Sequence, residues 1–276
     1  MKELIDDITA QLLPCYPEDE ARSLAWWIVE ESTGLSRTQL QIGCKGTINF
    51  SNLQEQIERL LHFEPIQYIF GHTLWAGLDL KVTPATLIPR PETAELVERI
   101  AANTGAKVNA GCRVLDIGTG SGCIAIALKK RRPEWQVTGI DISAEAISVA
   151  KENAVRNNAD VNFQVADIFS DEIEGFGSFD IVVSNPPYIC ESEKAAMRPN
   201  VLNYEPAIAL FVPDNDPLRF YRRIASLHLG KQLFFEINEA YSAELAALLH
   251  ELGYIDIHIT NDIYGKARII EGRMAG

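Results

Sequence analysis

Hydrophobic and polar residues alternate in three different ways along the chain, and the first of these patterns is helical. From residue 1 to about 70, apolar residues recur at helix spacing, beginning with Leu4, Ile5, Ile8 and Leu12. This pattern predicts a small helical bundle. Gly34 is expected to end one helix, because glycine readily adopts the left-handed conformation that follows a helix. Ser51 and Gln54 predict a capping box at the start of a later helix.

Apolar and polar residues then alternate in steps of two, in the run Leu78-Asp79-Leu80-Lys81-Val82. Together with Trp75-Ala76-Gly77 just before it, this run predicts a β-hairpin. The segment Leu87 to Thr93 follows, in which two prolines flank Arg90. Such a rigid polar segment is either a linker or a wall that faces a ligand, and the residues alone leave both interpretations open.

From residue 111 onward, short apolar runs alternate with helical patterns. The predicted strands are 114–117, 137–140, 161–166, 179–184 and 233–237, with two more at 255–259 and 267–270. This alternation predicts an α/β fold with a doubly wound parallel sheet. The span 190–217 has no clear period but contains many apolar residues, so an ordered insertion or lid is expected there.

Residues with distinctive chemistry follow four of the predicted strands. A glycine-rich turn, Gly118-Thr119-Gly120-Ser121-Gly122, follows the first, and Asp141, Asp167 and Asn185 follow the next three. Ligands of open α/β sheets bind outside the carboxyl ends of the strands. The sequence therefore predicts one binding site at this edge of the sheet.

The run Asn185-Pro186-Pro187-Tyr188 makes a stiff loop after the fourth strand. Each proline has a fixed φ and restricts the residue before it, so the carbonyl groups of Asn185 and Pro186 are held in place. With the Asn185 side-chain oxygen and the Tyr188 ring, these acceptors suit a planar group that carries an NH2. The other interpretation is a proline-rich turn that only closes a strand.

The glycine turn and the acids near it bear on the choice of ligand. A dinucleotide fingerprint needs a third glycine one place later, where Cys123 stands. Asp141 is suitably placed to bind ribose hydroxyls, so NAD stays open on these two features alone. A pyrophosphate prefers few nearby acids, whereas Asp116, Asp141 and Asp167 all lie at this edge. The acids favour a ligand of positive character, such as S-adenosylmethionine.

Composition and charge narrow the class of protein further. The chain has 276 residues and a formal net charge of −13, which argues against a large nucleic-acid footprint. No apolar run approaches the ~20 residues of a membrane span, and the acidic start is unlike a signal peptide. The cysteines and histidines show no disulfide or metal-ligand spacing. A cytoplasmic protein without a metal and away from the membrane is expected.

Several motifs together carry a resemblance to a known family. The glycine turn and the Asn185 to Tyr188 loop resemble those of class I S-adenosylmethionine-dependent methyltransferases that act on planar nitrogens. The segments Glu64 to Gly71 and Leu87 to Thr93 narrow the resemblance, over nearly the whole chain, to the peptide chain release factor N5-glutamine methyltransferase family. The asparagine motif alone is shared with adenine-N6 and guanine-N2 methyltransferases.

The resemblance implies a division of the chain and an activity. Residues 1–70 would form a helical substrate-docking domain, 71–90 a β-hairpin linker, and 91–276 a Rossmann-like methyltransferase domain with a seven-stranded sheet. The enzyme would transfer a methyl group from S-adenosylmethionine to the side-chain amide nitrogen, N5, of a glutamine. That glutamine lies in the Gly-Gly-Gln motif of class I release factors, which act in translation termination. S-adenosylhomocysteine would be the other product.

The resemblance also implies roles for the site residues. The turn Gly118 to Gly122 would contact the methionine part of the cofactor, Asp141 with Ile142 the ribose, and Asp167 with Ile168 the adenine surroundings, and Asn185 would also reach the cofactor. The catalytic residues would be Asn185, Pro186 and Tyr188, and these would bind the substrate together with Pro187 and Arg90. Relatives often have a large aromatic residue in place of Ile168, so Phe169 is a candidate to rebuild the adenine wall.

Two other functions remain as alternatives. A nucleic-acid methyltransferase, acting on adenine N6 or guanine N2, would use the same loop on a flipped base. It predicts a basic groove, which is not evident in the sequence. A non-catalytic nucleotide sensor would not need an intact Asn185 loop. The expected function is therefore methyl transfer to a release factor glutamine.

Overall fold

The structure, a computed structural model, describes residues 1–44, 46, 50–103, 111–262 and 264–275. It divides the chain into two compact units. The first comprises Met1–Gly71 with Arg198–Tyr204, and the second comprises His72–Met197 with Glu205–Gly276. Each unit buries its own apolar side chains.

The described part of the first unit is helical. Its helices are α1 (Lys2–Leu12), α2 (Glu18–Thr33), α3 (Arg37–Gln41), α4 (Phe50–Leu61), α5 (Ile66–Phe70) and, from the later segment, α9 (Pro199–Tyr204). The apolar positions that recur at helix spacing, among them Ile5, Ile8 and Leu12, are buried together in one core. Helices this short are marginal alone, so burial of one apolar stripe per helix stabilises the bundle.

Two predicted helix ends in this unit have different outcomes. Gly34 follows α2 with a φ of 65° and donates its backbone N–H to the Glu30 oxygen, so the predicted stop is confirmed. Helix α4 begins at Phe50, which puts Ser51 inside the first turn. The predicted capping box is therefore wrong, because an N-cap residue precedes the helix.

Part of the predicted insertion groups with the first unit. Arg198 makes a two-pronged ion pair with Glu20 of α2, at 2.7 and 3.1 Å. The Tyr204 hydroxyl donates to the His62 backbone oxygen at 2.9 Å. The segment that begins as a loop of the second unit thus contributes helix α9 to the first.

The second unit alternates strands and helices. Its elements are β1 (His72–Trp75), β2 (Leu78–Lys81), α6 (Thr93–Asn103), β3 (Arg113–Ile117), α7 (Cys123–Arg131), β4 (Gln136–Asp141), α8 (Ala144–Arg156), β5 (Asn162–Val165), β6 (Phe179–Ser184), β7 (Ile189–Cys190), β8 (Phe211–Val212), α10 (Arg219–Ser226), β9 (Gly230–Glu236), α11 (Ser242–Glu251), β10 (Tyr254–Asn261) and β11 (Ala267–Met274). Short 3₁₀ turns connect some of them.

A seven-stranded sheet forms the centre of this unit, in the order β10-β11-β9-β6-β3-β4-β5. Strands β9, β6, β3, β4 and β5 are parallel, and β11 is antiparallel to both β9 and β10. Successive strand residues bury on opposite faces: Val114 packs in one cluster with α6, α7 and α8, and Leu115 packs in another with α10 and α11. Because both faces are covered, the central strands are almost wholly apolar, as a parallel sheet requires.

The predicted hairpin is formed by β1 and β2 and is tied to helix α8. The Asn153 amide is buried and bonds both backbone groups of Lys81, accepting from its N–H at 2.6 Å and donating to its oxygen at 2.9 Å. One side chain on α8 therefore acts as a strand partner for the hairpin edge.

No helix in the described ranges is long and apolar enough to cross a bilayer. Within those ranges, no three histidine, cysteine, aspartate or glutamate side chains are grouped so that they could hold a metal ion.

Candidate active site

A cavity of about 400 Å³ opens at the carboxyl ends of the parallel strands in the second unit. Its walls come from the segment 85–93, from the turns after β3, β4, β5 and β6, from the insertion at 206–211, and from α10. Most of the predicted site residues line it: Arg90, Gly118, Thr119, Gly120, Ser121, Asp141, Ile142, Asp167, Ile168, Asn185, Pro186 and Pro187. Two others, Gly122 and Tyr188, lie outside its lining.

The three glycines of the glycine turn have different tasks. All have positive φ: 70° at Gly118, 54° at Gly120 and 81° at Gly122. A Cβ at Gly118 or Gly120 would meet nothing within 4 Å, so a ligand can approach the backbone there. A Cβ at Gly122 would lie 3.0 Å from the Phe163 ring, so this glycine serves helix packing behind the cavity wall.

Asp141 holds the glycine turn in shape. One carboxylate oxygen accepts from the Gly120 N–H at 2.9 Å, and the other accepts from the Ser143 N–H at 3.0 Å. Burial raises the pKa of Asp141, and these backbone donors oppose the shift. Its remaining lone pairs can accept from ligand hydroxyls, since each carboxylate oxygen has two.

Asp116 lies beneath the same turn and is completely buried. It accepts from the Thr119 hydroxyl at 2.5 Å through one oxygen. Its other oxygen has no hydrogen-bond partner among the described residues. Burial raises the pKa of Asp116 to about 7.

Aromatic side chains form the wall beyond Asp167. The Phe169 and Phe220 rings meet edge to face with centroids 5.4 Å apart. The Arg219 guanidinium lies 4.9 Å from the Phe169 ring centre and 5.3 Å from that of Phe220. All three line the cavity next to Ile168. Phe169 was the sequence candidate for this wall, whereas Phe220 and Arg219, on α10, were not singled out in the sequence.

The Asn185 loop is anchored to neighbouring strands. The Ser184 hydroxyl, at the end of β6, donates to the Ile117 oxygen at the end of β3, at 2.7 Å. Tyr188 points away from the cavity, and its hydroxyl donates to a Glu236 oxygen at 3.3 Å. Burial raises the pKa of the Tyr188 hydroxyl well above its ordinary value. The Tyr188 ring therefore supports the loop from behind, while Asn185, Pro186 and Pro187 face the cavity.

Arg90 is held in place by a residue that the sequence did not single out. The buried Glu205 carboxylate accepts from the Arg90 guanidinium at 2.6 Å and from the Ile88 N–H at 3.1 Å. The Trp75 indole N–H donates to the Arg90 backbone oxygen at 2.7 Å. Because Glu205 is 115 residues from Arg90 in the chain, no local pattern could have paired them.

Thr93 and Glu236 complete the wall behind Asn185. The Thr93 hydroxyl donates to Glu236 at 2.6 Å, and the Asn185 side-chain NH2 donates to the Thr93 oxygen at 3.4 Å. Glu236 is only 3% exposed, and its burial raises its pKa. Neither residue was singled out in the sequence, where Thr93 only ends the Arg90 segment and Glu236 lies within the predicted strand 233–237.

Comparison with known proteins first shows that the chain resembles methyltransferases. Residues 93–202 match the family model described as the methyltransferase small domain, and residues 3–71 match the PrmC N-terminal domain. The fold is also that of a methyltransferase from Pyrococcus furiosus, at a TM-score of 0.52 and 19% identity over 82% of this chain and 100% of that one. The human methyltransferase 10 domain containing protein gives a TM-score of 0.53 at 17% identity, over 72% and 90% of the chains.

Curated relatives then define the family. The release factor glutamine methyltransferase of Bacteroides thetaiotaomicron is 44% identical over 98% of this chain and 99% of its own length. That of Flavobacterium psychrophilum is 40% identical over 94% of each chain. The chain belongs to the release factor glutamine methyltransferase family. The predicted family, enzyme class and α/β fold with a seven-stranded sheet and an N-terminal helical region are confirmed.

Proposed function

We propose that the cavity binds S-adenosylmethionine and that the enzyme methylates the side-chain amide nitrogen, N5, of a glutamine in class I peptide chain release factors. The glutamine would be that of a Gly-Gly-Gln motif, and S-adenosylhomocysteine would be released. Translation termination is a cytoplasmic process, so the enzyme would act there. The names of the relatives in Bacteroides thetaiotaomicron and Flavobacterium psychrophilum support the choice of substrate.

The chemistry of the cavity fits this cofactor. The open backbone at Gly118 and Gly120 leaves room for the methionine part. Asp141 would accept from the ribose hydroxyls beside Ile142, and the wall of Ile168, Phe169 and Phe220 would hold the adenine ring near Asp167. When bound, the cofactor supplies an activated methyl group on a sulfonium.

One observation carries the proposal: Asn185 and Pro186 face the same cavity as the glycine turn and Asp141. An amide nitrogen is a poor nucleophile, because its lone pair is delocalised into the carbonyl. As the new bond forms, positive charge grows on that nitrogen. The Asn185 side-chain oxygen and the Pro186 carbonyl would accept its two N–H groups and stabilise the charge most strongly in the transition state.

Alignment accounts for the remaining catalysis in this proposal. The two prolines hold the acceptors rigidly, so the substrate nitrogen can meet the methyl carbon in line with the bond that breaks. A general base is not required, because the proton can leave to water after transfer. Pro187 and the Arg90 segment would form walls for the incoming loop, and Tyr188 would brace Asn185 from behind.

The first unit is proposed to dock the release factor. A three-residue motif offers little binding surface, whereas a specific protein interface buries about 1,200–2,000 Å². Under this proposal residues 1–70 are the docking domain, 71–90 a hairpin linker and 91–276 the catalytic domain.

Mass spectrometry of a purified, unmethylated release factor tests the proposed function. After incubation with enzyme and S-adenosylmethionine, one methyl group is expected on the Gly-Gly-Gln glutamine. A release factor in which that glutamine is replaced by asparagine should stay unmodified, because the shorter side chain withdraws its nitrogen. Calorimetry should show binding of S-adenosylmethionine and none of NAD. Methylation of adenine in a DNA duplex, with none on the release factor, would contradict the proposal.

A further inference from the structure

A short hydrogen-bonded chain connects a buried carboxylate to the Asn185 amide. Glu236, at the end of β9, is 3% exposed, and Thr93, at the start of α6, is 2% exposed. The Thr93 oxygen lies 2.6 Å from a Glu236 oxygen and 3.4 Å from the Asn185 side-chain nitrogen. Three residues that are far apart in sequence thus form one hydrogen-bonded row, in which Asn185 and Thr93 line the cavity and Glu236 lies behind them.

The chemistry of these groups sets the direction of the hydrogen bonds. The Thr93 hydroxyl donates its single hydrogen to a Glu236 oxygen, which can only accept when the carboxyl group is ionised. Towards Asn185, Thr93 can then only accept. The NH2 end of the Asn185 amide must face Thr93, and its oxygen must face away. Among the described residues, this oxygen has no hydrogen-bond donor, and Asn185 lines the cavity.

Glu236 is itself held from a second side. Its other oxygen accepts from the Tyr188 hydroxyl at 3.3 Å, and Tyr188 belongs to the same loop as Asn185. Burial raises the pKa of Glu236, while the two hydroxyl donors stabilise its carboxylate and lower it. Both oxygens of Glu236 are therefore committed to residues that contact or adjoin Asn185.

We propose that Thr93 and Glu236 are positioning residues that fix the orientation of the Asn185 amide. Their hydrogen bonds turn the amide oxygen, and not its NH2 group, towards the glutamine nitrogen to be methylated. The opposite orientation would set one N–H donor against another and leave the developing charge unstabilised. This inference rests on the proposed function, because it assigns Asn185 the role of acceptor for that nitrogen.

Steady-state kinetics of Thr93 variants test the proposal. Thr93→Val keeps the shape of the side chain and removes the hydroxyl, so kcat should fall on the order of tenfold. The KM for the release factor and the Kd for S-adenosylmethionine should stay within about twofold, because neither partner contacts the lost hydrogen. Thr93→Ser restores a hydroxyl and should recover most of the loss. An unchanged kcat in Thr93→Val, or an equal loss in Thr93→Ser, would overturn the proposal.

A double-mutant cycle shows whether Thr93 acts through Asn185. In an Asn185→Ala background there is no amide to orient, so Thr93→Val should change the residual kcat by less than about twofold. The same loss in both backgrounds would mean that Thr93 acts independently, which would overturn the proposal.

NMR gives a readout that needs no release factor, so it stays decisive if release factor methylation is not observed. The side-chain NH2 signals of Asn185 are identified by their absence from the spectrum of Asn185→Ala. They should move in Thr93→Val and in Glu236→Met, which keeps the volume but lacks an oxygen acceptor, and stay near their original positions in Thr93→Ser. Signals unchanged in Thr93→Val would overturn the proposed orientation, whatever the enzyme methylates.

Discussion

The two sides of the cavity are built in different ways. On the glycine-turn side, formed by Gly118 to Ser121 with Asp116 and Asp141, the polar contacts join residues close in sequence. Thr119 and Asp116 are 3 residues apart, and Gly120 and Asp141 are 21 apart. On the Asn185 side, Asn185 and Thr93 are 92 residues apart, and Thr93 and Glu236 are 143 apart.

The glycine-turn side is therefore built from local contacts, whereas the Asn185 side is built from long-range contacts. The polar contacts of the glycine-turn side involve only β3, the turn after it and the end of the neighbouring strand β4. The Asn185 side forms only when segments from three parts of the chain pack together. We therefore expect changes on the first side to alter local stability and cofactor affinity, and changes on the second to alter turnover.

The largest expected effect concerns stability and comes from Asp116, on the glycine-turn side, which should make the free energy of unfolding depend on pH. Burial raises its pKa from 3.8 to about 7 in the folded protein. Between these values the folded state keeps a proton that the unfolded state releases, so this group's contribution to stability falls as pH rises. As pH rises through that window, the free energy of unfolding of Asp116→Asn should increase by up to about 4 kcal/mol relative to that of the parent protein.

Denaturant unfolding of both proteins from pH 4 to pH 8 measures this gain. Asp160→Asn is the matched control, because Asp160 is exposed and should show little change across the same range. If the difference in free energy of unfolding between the parent and Asp116→Asn did not vary with pH, the prediction would be contradicted.

On the Asn185 side, Asn185→Ala should remove an acceptor needed most in the transition state. Turnover should fall by about 10²–10³, the range seen when a charge-stabilising group is deleted. Cofactor affinity should change little, since Asp141 and the glycine turn stay intact. Single-turnover rates and calorimetry separate the two quantities. A turnover within a few-fold of the parent would mean that Asn185 serves only as a turn residue. Asn162→Ala is the control for loss of an asparagine, because Asn162 is exposed and does not line the cavity.

The same division explains what could be predicted from the sequence. The strands, the turn Gly118 to Gly122 and the acids at strand ends follow from local periodicity and from the topology of parallel sheets. Glu205, Glu236 and Phe220 show no local signal, because their importance arises only when distant segments meet. Even within a recognised motif, the sequence does not predict where a side chain points. Tyr188 was found as part of the Asn185 loop, but its hydrogen bond to Glu236 directs its ring away from the cavity.

The smallest expected effect is a loss of cofactor affinity on the glycine-turn side, in contrast to the loss of turnover expected for Asn185→Ala. Asp141→Ala removes the carboxylate proposed to accept from the ribose hydroxyls, and with it the hydrogen bond to the Gly120 N–H. Losing charge-assisted bonds costs about 1.5–3 kcal/mol, so S-adenosylmethionine should bind about 10- to 150-fold more weakly. At saturating cofactor, turnover should stay within a few-fold of the parent, because no group on the Asn185 side is touched. Calorimetry with Asp160→Ala as the matched loss of an acid measures the affinity. If turnover at saturation collapsed while affinity was kept, the two sides would not divide binding from chemistry as proposed.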